Sequence, residues 1–188
     1  MYMDESGSLN GHNTDGGGLL VDLTKNLQLS LAGKKIIVLG AGGATRGILQ
    51  PLIEQVPESL TIINRTQSKA QTLADEFADL YRLDTMAADN IADNLGAADL
   101  MINATSASLD AKLPISDGLI ISSETVCYDL SYALEPTRFL QWTKENGCQQ
   151  NHDGRGMLVE QAALAFTTWT SLEADTTSLI NNFTELCT

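Results

Sequence analysis

Short runs of apolar residues alternate along the chain with longer segments in which apolar residues recur at helical spacing. Ile36–Leu39 is apolar at every position and rich in β-branched residues, which is typical of a strand buried on both faces of a parallel sheet. The leucines between positions 19 and 27 keep a helical period and predict a helix over 16–29, capped by Thr14 or Asp15. By the same criteria we expect strands over 60–63, 81–86, 98–102 and 126–130, and helices over 44–54, 68–80, 139–146 and 156–169, with a helical tail to 188.

This alternation predicts the fold class. Strands that alternate with helices form βαβ units, and right-handed crossovers assemble such units into an open parallel sheet. We therefore predict an α/β protein with a Rossmann-like, doubly wound parallel sheet in three α/β/α layers, over residues 33–152.

Composition and charge narrow the possible partners. The chain has 188 residues, 43% of them hydrophobic, and a formal net charge of -13. So acidic a surface repels nucleic acid and anionic lipid. Cys127, Cys148 and Cys187 form no CxxC pair, and His12 and His152 stand apart at expected surface positions, so we expect no disulfide framework, no metal site and a cytoplasmic location. The polar N-terminus and the lack of a long apolar run predict neither a secretory signal nor a membrane span.

A glycine cluster lies directly between the strand at 36–39 and the next helix. The sequence GAGGATRG (Gly40–Gly47) matches G-x-G-x-x-G/A except that Thr45 takes the third small position. Glycines let the backbone turn tightly and approach phosphates, and a helix N-terminus offers unpaired N–H groups. An ordinary glycine-rich turn is the simpler alternative, but the strand–turn–helix context favours a dinucleotide pyrophosphate site.

The end of the second predicted strand carries Asn64, Arg65 and Thr66. In NAD-binding domains an acidic residue in this place bonds the ribose 2′-hydroxyl. A guanidinium beside neutral donors suits a 2′-phosphate instead. Lys69 follows one helical turn later, and with Arg46 these bases form a concentration of positive charge in an acidic chain. Arg65 and Lys69 are either solvated residues at a helix start or ligands of NADP, and we favour NADP.

Several separated motifs, taken together, point to a family. They are GHNTDG (11–16), GAGGATRG (40–47), NRT (64–66), NATS (103–106) and DGRGMLVEQAA (153–163). In this order they resemble the shikimate dehydrogenase family, and the likeness covers essentially the whole chain. It implies NADPH-dependent reduction of 3-dehydroshikimate to shikimate, in chorismate and aromatic amino acid biosynthesis. The family places a substrate domain with a catalytic lysine before this point, and that region is not in this sequence, so we expect NADP binding with little turnover.

The resemblance also assigns domains and site residues. It makes 1–32 a remaining substrate-domain segment with a connecting helix, 33–152 the NADP-binding domain and 153–188 the C-terminal helices that pack back toward the substrate domain. The residues expected at the cofactor are Gly40, Ala41, Gly42, Gly43 and Ala44 at the pyrophosphate, Asn64, Arg65, Thr66 and Lys69 at the 2′-phosphate, Asn103, Ala104, Thr105 and Ser106 beneath the cofactor, and Leu130, Gly154 and Met157 near the nicotinamide. Arg46 is also expected to bind the cofactor. Asp15 would be the acidic partner of the catalytic lysine. Tyr132 and Gln161 would contact the substrate.

The sequence departs from the family pattern at several positions. Arg155 stands where leucine is usual, Lys69 replaces the more common arginine, Leu130 takes a place often held by methionine, and Ala107-Ser108 replaces a glycine after NATS.

Several alternatives stay open. The sequence is also compatible with purely structural roles for three of these residues: Asp15 as a helix cap, Tyr132 as a packed loop aromatic and Gln161 as a structural hydrogen-bonding residue. It is compatible as well with a non-catalytic nucleotide-binding module and with a quinate-type dehydrogenase. Apolar residues exposed by the missing region, such as Leu158, Leu164 and Phe166, would favour a homodimer.

Overall fold

A computed structural model describes residues 1–4, 6–90, 98–106, 113 and 121–183 of the chain. The chain forms two compact units. One consists of Met1–Leu29 together with Arg155–Thr188, and the other of Ser30–Gly154. Ala107, Ser108 and Cys187, named above, lie outside the described residues, as does the end of the predicted helical tail.

The Ser30–Gly154 unit contains a six-stranded parallel sheet. Its strands are β3 (Lys35–Leu39), β4 (Ser59–Asn64), β5 (Asp84–Ala87), β6 (Leu100–Asn103), β7 (Val126–Asp129) and β8 (Gln150–Asp153), and its helices are α2 (Gly43–Ile53), α3 (Gln67–Glu76) and α4 (Arg138–Glu145), with a 3₁₀ turn at Ala88–Asn90. The strand order is β5-β4-β3-β6-β7-β8. Counted within the sheet, this is the 3-2-1-4-5-6 order of the doubly wound dinucleotide-binding fold, so the predicted fold class is confirmed.

The core lies on both faces of the sheet's central strands. Four of the five residues of β3 and all residues of β6 and β7 are buried. The register places Ile36 between Leu60 of β4 and Leu100 of β6, so apolar side chains form continuous rows across the sheet. Each such side chain contributes about 1.5–3 kcal/mol when fully buried, which is why strands apolar at every position take the central places.

Within the sheet, the main differences from the predicted elements lie at the edges. The strand expected at 81–86 is β5, shifted to Asp84–Ala87, and Gln150–Asp153 forms an edge strand, β8, that was not predicted. The residues of β8 are polar and partly exposed, so they give no apolar pattern. They are held by backbone pairing with β7, which depends on the rest of the sheet. His152 lies in this edge strand and is partly buried.

The second unit contains a short hairpin and helices. Its elements are β1 (Tyr2–Met3), β2 (Leu9–Asn10), α1 (Asp15–Val21), a π-helical turn (Asp22–Asn26), α5 (Arg155–Thr170) and α6 (Thr177–Asn181). The helix predicted over 16–29 is therefore α-helical only to Val21. After that point the N–H of Leu27 donates to the Asp22 carbonyl, five residues back. In the part of the chain that the structure describes, no helix is long and apolar enough to cross a membrane.

Candidate functional site

The turn after β3 is built around Gly40. Its φ is +106°, and a Cβ there would lie 3.0 Å from Thr105 Cγ2 and 3.1 Å from the Ala104 carbonyl oxygen. The residue is therefore glycine for two reasons: a backbone conformation that other residues avoid, and the close approach of the loop after β6. This brings the turns after β3 and β6 together at the point where the strand order reverses, which is where ligands of this fold bind.

The next two glycines face open space. A Cβ at Gly42 or Gly43 would meet nothing within 4 Å. Helix α2 begins at Gly43, so the first N–H groups of the helix have no acceptor within it. Thr45 is fully buried, and its hydroxyl donates to the Gly40 carbonyl at 2.9 Å. That bond closes the turn from inside and explains why threonine fits the third small position of the motif.

The predicted 2′-phosphate residues lie at the end of β4 and the start of α3. The Asn64 side-chain amide donates to the Thr66 carbonyl at 2.8 Å, which shapes the turn between strand and helix. Arg65 and Lys69 are exposed, and within the described residues neither takes part in an ion pair. Their charges are available to an anion.

Arg46 differs from these two bases. Its guanidinium bonds both carboxylate oxygens of Glu76 in α3, one of them at 2.9 Å. The pair joins α2 to α3 across the surface, so the charge of Arg46 is largely compensated. The predicted basic concentration is thus reduced to Arg65 and Lys69.

The NATS segment combines a buried anchor with a more accessible loop. Asn103 is fully buried; its amide donates to Asp129 at 3.0 Å, and its oxygen accepts from the Thr105 N–H and hydroxyl at 3.1 and 2.7 Å. Ala104 and Thr105 are half-buried and Ser106 is exposed. Asn103 therefore shapes the loop, and the three residues after it are the ones a ligand can reach.

Gly154 packs directly against the loop after β7. A Cβ on Gly154 would lie 2.7 Å from the Leu130 carbonyl carbon, and the Gly154 N–H donates to the Ser131 carbonyl at 3.2 Å. Two of the residues predicted near the nicotinamide are thereby brought into contact. Tyr132, two residues further along this loop than Leu130, is 46% exposed.

The other predicted residues belong to the second unit, where α1 and α5 touch through their backbones. A Cβ on Gly18 would lie 2.6 Å from the Gln161 nitrogen and 2.7 Å from the Gln161 Cβ. Asp15 lies one turn before Gly18, and Met157 lies one turn before Gln161 on α5. The glycine contact thus places the helix of Asp15 directly against the helix of Gln161.

The start of α1 corrects one prediction. Thr14 is the N-cap residue but makes no side-chain capping bond, and Asp15 is the first helical residue. The N–H of Asp15 is bonded instead by the Asn13 side-chain oxygen at 2.8 Å. Thr14 is therefore the N-cap, as one of the two predicted alternatives, but without a side-chain capping bond, and Asp15 as the cap was wrong. The Asp15 carboxylate remains partly exposed in the first turn, where the helix dipole favours a negative charge.

A buried polar cluster beside Gln161 was not predicted. Glu160 is 6% exposed and accepts hydrogen bonds from the Asn26 amide at 3.1 Å and the Thr176 hydroxyl at 2.8 Å. Asn26 also donates to Asp22 at 2.9 Å. The cluster ties the π-helical turn, α5 and the start of α6 together, so α5 is held in place along the segment that carries Gln161.

Arg155 and the apolar C-terminal residues also lie in the second unit. The Arg155 guanidinium lies 5.9 Å from the centroid of the Phe183 ring, a cation–π distance. Leu158 and Leu164 are partly buried, whereas Phe166 and Trp169 are 41% and 64% exposed. The expected homodimer through such residues stays a prediction.

No metal site is found in the described ranges, in which no three His, Cys, Asp or Glu side chains come together. The cysteines Cys127 and Cys148 are buried free thiols.

Together, the strand order and the glycine turn define a dinucleotide-binding domain of the doubly wound class. The comparisons with known proteins agree. The family described as Shikimate / quinate 5-dehydrogenase matches residues 22–112, and the Shikimate 5'-dehydrogenase C-terminal domain matches 154–179. The chain belongs to the shikimate dehydrogenase family.

Individual relatives show how much of the family protein the chain covers. It is 49% identical over 180 residues to a shikimate dehydrogenase (NADP(+)) from Methylococcus capsulatus, covering 96% of this chain and 64% of that protein. The crystal structure of an Ael1 enzyme from Pseudomonas putida matches with a TM-score of 0.82 and 40% identity, over 90% of this chain and 62% of the other. A shikimate dehydrogenase in complex with NADP+ matches with a TM-score of 0.82 and 29% identity, over 98% and 65%. The chain thus spans less than two thirds of these relatives and corresponds to their C-terminal part.

Proposed function

We propose that this chain is the NADP(H)-binding part of a shikimate dehydrogenase, an oxidoreductase that reduces 3-dehydroshikimate to shikimate. The observation that carries the proposal is the turn at the reversal of strand order. Gly42 and Gly43 leave open space there, and the next strand end presents Arg65 where an NAD-binding domain would have a carboxylate.

The residues present fit NADP in type and accessibility. The backbone N–H groups at the start of α2 would hold the pyrophosphate, since helix N-termini bind anions. Arg65 and Lys69 would hold the 2′-phosphate, the first as a planar fork and the second as a point charge. Leu130, Gly154 and Met157 are proposed to contact the nicotinamide.

The bound cofactor would supply hydride to the ketone carbon. The chain's own contribution to the chemistry is then the handling of the substrate hydroxyls and of the proton. The Gln161 amide offers both a donor and an acceptor to a polyhydroxylated ring, and Tyr132 is proposed as a further contact. The Asp15 carboxylate would hold and orient a lysine supplied from outside these 188 residues, and that lysine would give its proton to the developing alkoxide.

We further propose that the segments 1–32 and 153–188 belong functionally to the substrate side of the enzyme and 33–152 to the cofactor side. By itself, the 188-residue chain should then bind NADP(H) and oxidise shikimate hardly at all, because the proton-handling lysine is not in it. Readily measurable NADPH production from shikimate and NADP+ by the purified chain would contradict this division. The buried free thiols Cys127 and Cys148 suit the reducing cytoplasm that we propose as its location.

The substitution Arg65→Gln tests the cofactor assignment. It removes the guanidinium but keeps a polar side chain, so the affinity for NADP should fall about 10- to 100-fold, as expected for loss of a charge-assisted hydrogen bond. The affinity for NAD, which has no 2′-phosphate, should hardly change. The control is Arg82→Gln, since Arg82 is also an exposed arginine of the Ser30–Gly154 unit. This substitution should alter neither the affinity for NADP nor that for NAD. Equal loss of NADP and NAD binding in the Arg65 variant would refute the assignment.

A further inference from the structure

Asp129, the last residue of β7, is a fully buried carboxylate that accepts hydrogen bonds from Asn103, Ser131 and Thr137. Its Oδ1 accepts from the Asn103 amide and from the Ser131 backbone N–H, each at 3.0 Å. Its Oδ2 accepts from the Thr137 hydroxyl at 2.6 Å. Asp129 itself is 0% exposed.

These donors connect the two loops at the carboxyl edge of the sheet. Asn103 ends β6 and fixes the next loop, because its side-chain oxygen accepts two hydrogen bonds from Thr105. Ser131 begins the loop that carries Tyr132. Thr137 ends that loop as the N-cap of α4, where its hydroxyl also accepts from the Leu140 N–H at 3.3 Å. One carboxylate therefore holds the β6 loop, both ends of the β7 loop and the start of a helix.

A carboxylate is a costly way to fill a core position. Burying its charge is unfavourable unless donors compensate for the lost water, and an apolar residue would serve packing alone. All three donors here come from segments at the edge where ligands of this fold bind. The adenosine half of a dinucleotide lies on the side of the first two strands, here β3 and β4, and the other half on the side of the later strands, here β6 and β7.

We propose that Asp129 is a positioning residue for the nicotinamide half of the cofactor, acting through the loops 104–106 and 130–137. This inference rests on the proposed function. It assigns to Asp129 no contact with the cofactor. The loops that do face the ligand owe their conformation to its two oxygens.

The test compares two ligands that share the adenosine half. NADPH and adenosine 2′,5′-bisphosphate are titrated into the full chain carrying Asp129→Asn, well below its melting temperature. The asparagine amide keeps the shape of the carboxylate but turns its NH2 group toward a hydrogen-bond donor, so the affinity for NADPH should fall about 10-fold or more. The affinity for the bisphosphate should stay within about 2-fold of the parent's, because its site is at β3 and β4.

The control variant is Thr143→Val. Thr143 of α4 is also fully buried, and its hydroxyl donates to the Leu140 carbonyl and to the Asn151 side-chain oxygen of β8. It should lower stability and leave both affinities unchanged. If Asp129→Asn does not fold, Thr137→Val removes one donor and keeps the carboxylate. Thr137→Val should then lower the affinity for NADPH by about 3- to 10-fold and leave the affinity for the bisphosphate unchanged.

The outcomes separate the two claims. Unchanged NADPH binding in a folded variant, or an equal loss for both ligands, would overturn the role of Asp129 while leaving the proposed function in place. If the parent chain binds neither ligand, the proposed function itself fails and the inference fails with it.

Discussion

The substitution Gly40→Ala should destabilise the protein strongly, and its cost can be worked out from the turn. With φ at +106°, a residue with a Cβ is strained whatever the space, at about 1–3 kcal/mol. The new methyl would also lie 3.0 Å from Thr105 Cγ2 and 3.1 Å from the Ala104 carbonyl oxygen. The second of these contacts is with backbone anchored to β3 through the Ala104 N–H, so overpacking adds about 1–3 kcal/mol. The expected loss is about 2–6 kcal/mol, a large share of the stability of an ordinary domain.

The matched control is Gly42→Ala, two residues later in the same turn. Its φ is -103°, and a Cβ there meets nothing within 4 Å, so stability should change by about 0.5 kcal/mol or less. The methyl would instead occupy space that the phosphates need, and NADP affinity should fall about 10-fold or more.

Urea unfolding followed by circular dichroism measures the first effect and calorimetric titration with NADP the second. The two variants should differ, because Gly40→Ala loses stability and Gly42→Ala loses affinity for NADP. It would be refuted if Gly40→Ala unfolded at the parent's urea concentration, or if Gly42→Ala bound NADP as tightly as the parent.

Three further predictions concern stability. Val56 is β-branched, 71% exposed and has a φ of +55°, so Val56→Asn should stabilise the protein by about 0.5–1 kcal/mol in thermal melts, and a lower melting temperature would contradict this. The backbone N–H of Lys35, followed by the neighbouring ammonium of Lys34, lowers the pKa of Asp99 below its usual value. The parent should therefore be more stable than Asp99→Asn by about 0.5 kcal/mol at neutral pH, a small value because water screens a partly exposed pair. This difference in stability should shrink as the pH falls below the ordinary carboxyl pKa of 3.8. A difference that grows in acid would refute the prediction. Gly18→Ala should lower the free energy of unfolding by about 2–4 kcal/mol, because its methyl would overlap the α5 backbone. An unchanged unfolding midpoint would contradict this, since it would show that α1 and α5 can move apart without loss of stability.

Much of the fold could be predicted because its signals are local. Ile36–Leu39 is apolar throughout and the glycines follow at once, so a buried strand, a tight turn and a helix start are indicated within a dozen residues of one another. The polar strand Gln150–Asp153 gives no such signal. Its conformation comes from pairing with Val126–Asp129, which is distant in the sequence.

The candidate site likewise contains residues with a local sequence signal and residues without one. Residues that face a ligand stand in short motifs, and the Asn64–Thr66 turn was identified from its position after a strand. Supporting residues such as Asp129 and Glu160 were missed, since Asp129 lies 26 positions from its partner Asn103 and Glu160 lies 134 positions from its partner Asn26. A polar residue at the end of an apolar strand, as in VCYD, is the one sequence signal that points to Asp129.

The central claim is that this chain binds NADP in preference to NAD, and a calorimetric titration of the purified chain with each dinucleotide at one fixed salt concentration tests it most directly. We expect NADP binding with a Kd of about micromolar order and NAD binding that is much weaker, because Arg65 and Lys69 are exposed without ion-pair partners among the described residues. Equal affinity for the two dinucleotides, or no binding of either, would contradict it.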